Sequence, residues 1–142
     1  MGRRVSRETA MKLLYQLEMH NDDMQEQIKA AFEDHAFSEA DKKYINDVVQ
    51  GVFDNKEYID RLVEKYSKGW KINRISKVDI SILRLSIYEI GFRDDIPFNV
   101  SINEAVELAK KYSNEEAGAF INGILGKVPK MRALPAENEA GN

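Results

Sequence analysis

Three arginines stand within the first seven residues, Arg3, Arg4 and Arg7, with Lys12 and Tyr15 further along. A guanidinium grips a phosphate through parallel N–H donors, and a phenol ring offers a stacking face to an unpaired base. Arg4 and Tyr15 are separated by about 1100° of helix, so they share a face to within about 20° if the helix reaches back to Arg4. Late in the chain Lys110, Lys111 and Tyr112 repeat the combination, followed by Ser113 and Asn114. Both groups suit a polyanion with exposed bases. Blander readings fit the same residues: a solvated arginine-rich end, a core Tyr15, and lysines placed favourably at a helix C-terminus.

Catalytic chemistry is poorly represented. His20 and His35 have no partner at ligand spacing, no HExxH is present, and the chain has no cysteine, so no metal site and no cofactor are expected. Asp22-Asp23 and Asp94-Asp95 read as solvated turns. Gly123-Ile124-Leu125-Gly126-Lys127 lacks the spacing of a phosphate loop and reads as a helix ending at glycine. With no nucleophile elbow or dinucleotide fingerprint either, the expectation is a binding protein, not an enzyme.

The net charge of −3 conceals three blocks: +3 over residues 1–15, −7 over 18–41 and +5 over 61–77. An acidic protein can still bind a polyanion if its cations gather on one surface. Hydrophobic content of 43% with 32% charged residues suits a soluble domain. No apolar run approaches the roughly 20 residues of a membrane span, so no membrane partner is expected.

The elements that must position these residues are helical. Ser6 is the expected N-cap of a first helix to about His20, with Ala10, Leu13, Leu14 and Leu17 inward and Asn21-Asp22-Asp23 as its break. A second helix spans about Met24 to Asp34. Ser38-Glu39-Ala40-Asp41 opens a long stretch to Tyr66 with a break near Asp54-Asn55. Asn73 opens a helix with two apolar stripes, Ile75, Val78, Ile82, Leu85 and Ile80, Leu83, Ile87, Ile90. The stripes lie about 140° apart, as in a helix sandwiched between layers. Its narrow remaining face carries Lys77, Ser81, Arg84 and Tyr88. Asp79, beside Val78 and Ile80, is either a cap contact or a charge shown to a basic partner.

Ser101 and Glu104 form a capping box after the loop at Asp94-Asp95-Ile96-Pro97, and a last helix runs from about Glu115 to Lys127. Gly118, Gly123 and Gly126 suggest close helix contacts. The expected fold is all-α with about seven helices, one domain over 1–128 and a mobile tail over 129–142.

Four segments in order, RRVSRETAMKLLYQLE, RISKVDISILRLSIYEI, IPFNVSINEAVELAKKYS and FINGILGKV, closely resemble the NusB family. The resemblance covers residues 3 to about 128 and implies two packed three-helix sub-bundles plus an extra helix. It implies a cytoplasmic transcription antitermination factor that binds single-stranded boxA RNA of ribosomal RNA leader transcripts. The partners it implies are NusE, a small-subunit ribosomal protein, and the antitermination complex of RNA polymerase. Monomer and homodimer are both left open.

By resemblance the RNA-binding start maps to Arg3, Arg4 and Arg7, with Tyr15 the first-helix aromatic, and Lys12 between them is counted with the RNA-binding residues. The RNA-facing turn maps to Tyr112 through Asn114 to Glu116, beside Lys110. The NusE-facing acid maps to Asp79, and Lys77, Arg84 and Tyr88 form the second choice of partner face. A NusB-like domain also precedes an rRNA cytosine-5 methyltransferase. That chemistry needs a cysteine nucleophile, which this sequence lacks. The alternative function is a helical protein-binding adaptor that does not touch RNA.

Overall fold

A computed structural model describes residues 2–20 and 23–129. The described residues form seven α-helices and one short 3-10 turn, with no strand. In chain order they are α1 (Arg3–Met19), α2 (Met24–Asp34), α3 (Glu39–Asp54), α4 (Lys56–Tyr66), the turn Ile72–Arg74, α5 (Lys77–Phe92), α6 (Phe98–Tyr112) and α7 (Glu115–Leu125). α1, α2 and α3 pack on one another, as do α5, α6 and α7. α1 and α3 both cross onto α5 and so join the two sub-bundles, while α4 lies against α3 and α5.

Side chains that satisfy unpaired backbone donors set four of the helix starts. Asp23 accepts from the Glu26 amide at 3.1 Å, Ser38 from Asp41 at 3.1 Å, Ser76 from Asp79 at 3.1 Å and Asn114 from Ala117 at 2.7 Å. Asn55 divides α3 from α4, its side-chain amide donating to the Gly51 carbonyl at 2.8 Å. Between α4 and α5 the backbone enters the left-handed region at Lys68 (φ 60°) and Gly69 (φ 90°).

Helix α5 is the spine, with every residue from Ile80 to Gly91 buried. Each of its buried isoleucines and leucines contributes about 1.5–3 kcal/mol of apolar burial. At Gly51 the backbone of α3 comes so close to it that an added Cβ would overlap the Tyr88 ring. Tyr88 also stacks on Phe92 at 5.0 Å and donates to Asp47 at 2.7 Å.

Three expected starts shift. α1 begins at Arg3, three residues ahead of the expected Ser6 cap, and Ser6 is itself fully buried within the helix. Ser101 is likewise buried inside α6, which begins at Phe98 after Pro97, and its hydroxyl donates to Glu89 at 2.8 Å. Asn73 sits in the 3-10 turn, and Ser76 caps α5. Both buried serines were outcompeted as caps by tertiary packing. Of the three late glycines, Gly118 lies near Val106 and Lys110, whereas Gly123 has open space beside it. Asn21, Asp22 and nearly all of the expected tail, residues 130–142, lie outside the described residues.

Candidate nucleic-acid interface

Because α1 starts at Arg3, the helix does reach back far enough to put Arg4 and Tyr15 on a common face. Arg4 is 71% exposed in its side chain, and Tyr15 is 36% exposed, which removes the core reading of Tyr15. Arg4 makes a two-pronged pair with Glu104 of α6 at 2.9 and 2.6 Å. That bond, ahead of the opposing effect of partial burial, holds the Glu104 carboxyl below its ordinary range.

Next along α1, Glu8 joins the helix to the end of α6. Its carboxylate accepts from Lys111 at 2.8 Å and lies 3.9 Å from Lys12. Partial burial works to raise the Glu8 carboxyl, but its bonds to Lys111 and Tyr112 win and lower it. The Tyr112 ring has Lys12 5.4 Å and Lys111 5.3 Å from its centroid. Lys110, exposed one residue earlier, lines a shallow groove together with Arg4. Thus Arg4, Lys12, Tyr15, Lys110, Lys111 and Tyr112 compose one edge from α1 and α6.

Arg7 does not belong to that edge as a free cation. It is 4% exposed and donates to Glu89 of α5 at 2.8 and 3.3 Å. Glu89, 1% exposed, also accepts from the Tyr44 and Ser101 hydroxyls. Burial alone would lower the Arg7 pKa, yet the Glu89 pair outweighs it and raises it. The expected RNA contact at Arg7 is therefore corrected to an interior ion pair joining four helices. Arg3 is half-buried, with its guanidinium carbon 4.4 Å from the centroid of the Tyr44 ring.

The turn after α6 divides two surfaces. Tyr112 faces the α1 edge, whereas Asn114 and Glu116 line a separate groove of about 360 Å³ with Trp70, Arg74, Asp79 and Phe120. Trp70, 52% exposed, meets Phe120 edge-on at 6.0 Å. Asp79 is half-buried, with its Oδ1 enclosed and unpartnered. Sequence reasoning missed Trp70 and Phe120 as neighbours of Asp79, since nothing local signals that pairing.

The second choice of partner face is largely interior. Arg84 is 4% exposed and donates twice to Asp60 at 2.9 Å and once to Glu18 at 2.7 Å. Tyr88 is also buried. Of the trio only Lys77 keeps substantial exposure, 3.4 Å from Glu18. Partial burial would raise the Glu18 carboxyl, but Arg84 and Lys56 hold it down at about 2. These groups weld α1, α4 and α5 together. No group of metal-ligating side chains occurs among the described residues, and no described helix is long and apolar enough to cross a membrane.

Two three-helix sub-bundles on a shared buried helix, with a cationic, tyrosine-bearing edge and a separate aromatic groove, define an all-helical binding module. The chain belongs to the NusB family, whose sequence model matches residues 4–130. It is 63% identical over 137 residues to the transcription antitermination protein NusB of Acetivibrio thermocellus, covering 96% of this chain and 94% of that protein. Among solved structures, T. maritima NusB superposes with a TM-score of 0.84 at 35% identity, covering 90% of each chain. A chain from a complex of antitermination factors NusB and NusE with double-stranded RNA superposes at 0.81 with 28% identity, covering 92% of this chain and 96% of that one.

Proposed function

We propose that this chain is a cytoplasmic transcription antitermination factor that binds boxA RNA of ribosomal RNA leader transcripts together with a NusE-type partner. Through that pair it joins the antitermination complex of RNA polymerase and promotes processive transcription of ribosomal RNA genes. The carrying observation is the Lys12–Tyr112–Lys111 stack, which joins the basic start of α1 to the end of α6 beside exposed Tyr15. Family membership supports the antitermination role, and the related NusB–NusE complex with RNA supports both partners. That complex contains double-stranded RNA. The exposed Tyr15 ring favours unpaired bases, since a duplex hides the faces on which a ring stacks.

The test is titration of a boxA strand, a scrambled strand and a duplex against the folded protein. BoxA should bind tightest, and Tyr15→Ala should cost about 1–3 kcal/mol of that affinity. Equal binding of all three RNAs would remove the boxA specificity, and native affinity in Tyr15→Ala would take that ring off the RNA surface. Binding of none of them would favour the protein-only adaptor instead.

We assign the NusE-type partner to the Trp70–Asp79–Phe120 groove, where the exposed Trp70 ring, the half-buried Phe120 ring and the Asp79 carboxylate suit a basic, partly apolar surface. Asp79→Lys should weaken that partner while leaving RNA binding by the isolated protein near native. A folded Asp79→Lys that binds NusE with native affinity would move the interface elsewhere.

A further inference from the structure

Tyr44 is fully buried on α3 and cannot touch RNA, yet it sits beneath the arginines of α1. The guanidinium carbon of Arg3 lies 4.4 Å from its ring centroid, that of Arg93 5.2 Å and that of Arg7 5.9 Å. Arg7 is spent on Glu89, and Arg93 on Asp47 at 3.0 Å and Asp95 at 2.7 Å. Arg3 makes no ion pair among the described residues. Its Nε is enclosed without a partner, while the residue as a whole keeps partial exposure, which leaves the terminal nitrogens as its accessible part.

We infer that Tyr44 is a positioning residue for RNA binding, its ring face holding the Arg3 guanidinium flat and ready for a phosphate. This rests on the proposed RNA-binding reading. An aromatic face attracts a cation through its quadrupole, most strongly where water is excluded. The ring is itself anchored, because its hydroxyl donates to Glu89, whose carboxylate also holds Arg7 and Ser101. An arginine free to wander would lose rotamer entropy on gripping RNA, and one already seated loses less. Arg4 is held by a carboxylate that a phosphate must displace or share, whereas Arg3 is held by a ring face and feels its nearest acid, Asp95, only at longer range than an ion pair. Arg3 is thus the more available phosphate ligand of the two.

The test replaces Tyr44 by phenylalanine and then by phenylalanines of increasing ring fluorination, which drain the π face with little change of shape. BoxA affinity is measured for each in the native and the Arg3→Ala backgrounds. Tyr44→Phe should keep near-native affinity while melting at lower temperature, because the bond to Glu89 is gone. Progressive fluorination should then weaken RNA binding stepwise, reaching about threefold to tenfold, and should have no effect once Arg3 is alanine. Tyr44→Leu, if folded by circular dichroism, should match the most fluorinated variant. A flat response to fluorination with Arg3 present, or an equal response without it, overturns the positioning role. If instead Arg3→Ala, Arg4→Ala and Lys12→Ala all bind RNA as the native protein does, the RNA surface is not the α1 edge, and if the native protein binds no RNA the proposed function has failed.

Discussion

Arg4 and Arg7 are neighbours in sequence and opposites in the structure. Arg4 is exposed and shares its charge with Glu104 at the rim, while Arg7 is sealed against Glu89 among α1, α3, α5 and α6. One is available to a polyanion and the other is part of the framework that makes it available. The same contrast separates Lys12, half in solvent above Tyr112, from Arg84, locked between Asp60 and Glu18. A cation in a binding protein is informative only once its counter-charge and its solvent access are known.

The sharpest way to break this contrast is to remove the sealed pair. Arg7→Ala leaves Glu89 buried without its ion partner and is expected to cost about 3–5 kcal/mol of stability, read as a lowered denaturation midpoint. Should Arg7→Ala remain as stable as the native protein and lose only RNA affinity, Arg7 belongs to the binding edge after all. An alanine at all three arginines is for this reason a poor probe of RNA contact.

A smaller effect is expected at Glu18, whose ordinary value is 4.5 and whose folded value is about 2. A depressed carboxyl lends stability that is complete above its unfolded pKa and disappears as pH falls through the folded one. The Glu18 contribution should thus fade between about pH 5 and pH 2, amounting to about 1–2 kcal/mol after allowance for solvent screening. Acid titration of Glu18→Gln should show a correspondingly flatter stability profile over that window. A profile matching the native one would detach Glu18 from the framework.

The smallest effect on folding belongs to the exposed edge. Arg4→Ala should leave the melting temperature unchanged, because exposed ion pairs contribute little. It should instead lower RNA affinity and reduce the dependence of log affinity on log salt by about 0.7, the share of one phosphate contact on a single strand. An unchanged salt slope would take Arg4 out of the RNA surface.

Much of this architecture was legible in local pattern. The bounds of α2, the Ser38 cap, the break at Asn55 and the two-sided burial of α5 all follow from apolar period and turn chemistry. The failures share a cause. Ser6 and Ser101 look like caps, and Arg7 looks like its neighbours, until tertiary partners are known. The partner of Arg7 is 82 residues away and that of Arg84 on α1 is 66 away, separations that no window of sequence can reveal. The division of the turn after α6 between two surfaces was hidden in the same way. Asn114 reaches the groove because Trp70 and Asp79 are brought there by a left-handed turn and by the spine helix.

The distance between Arg7 and Glu89 also imposes an order on biosynthesis. A chain made from its N-terminus exposes Arg7 long before the ribosome has released Glu89, and until then Arg7 lacks the buried counter-charge that seats it. Tyr44, 45 residues ahead of the same carboxylate, must wait for it as well, and the carboxylate itself waits a further 12 residues for Ser101. Native contacts this far apart close large loops and form late. The early helices therefore emerge as a loose amphipathic set, and the arginine edge takes its final shape only when the spine helix and then α6 have followed.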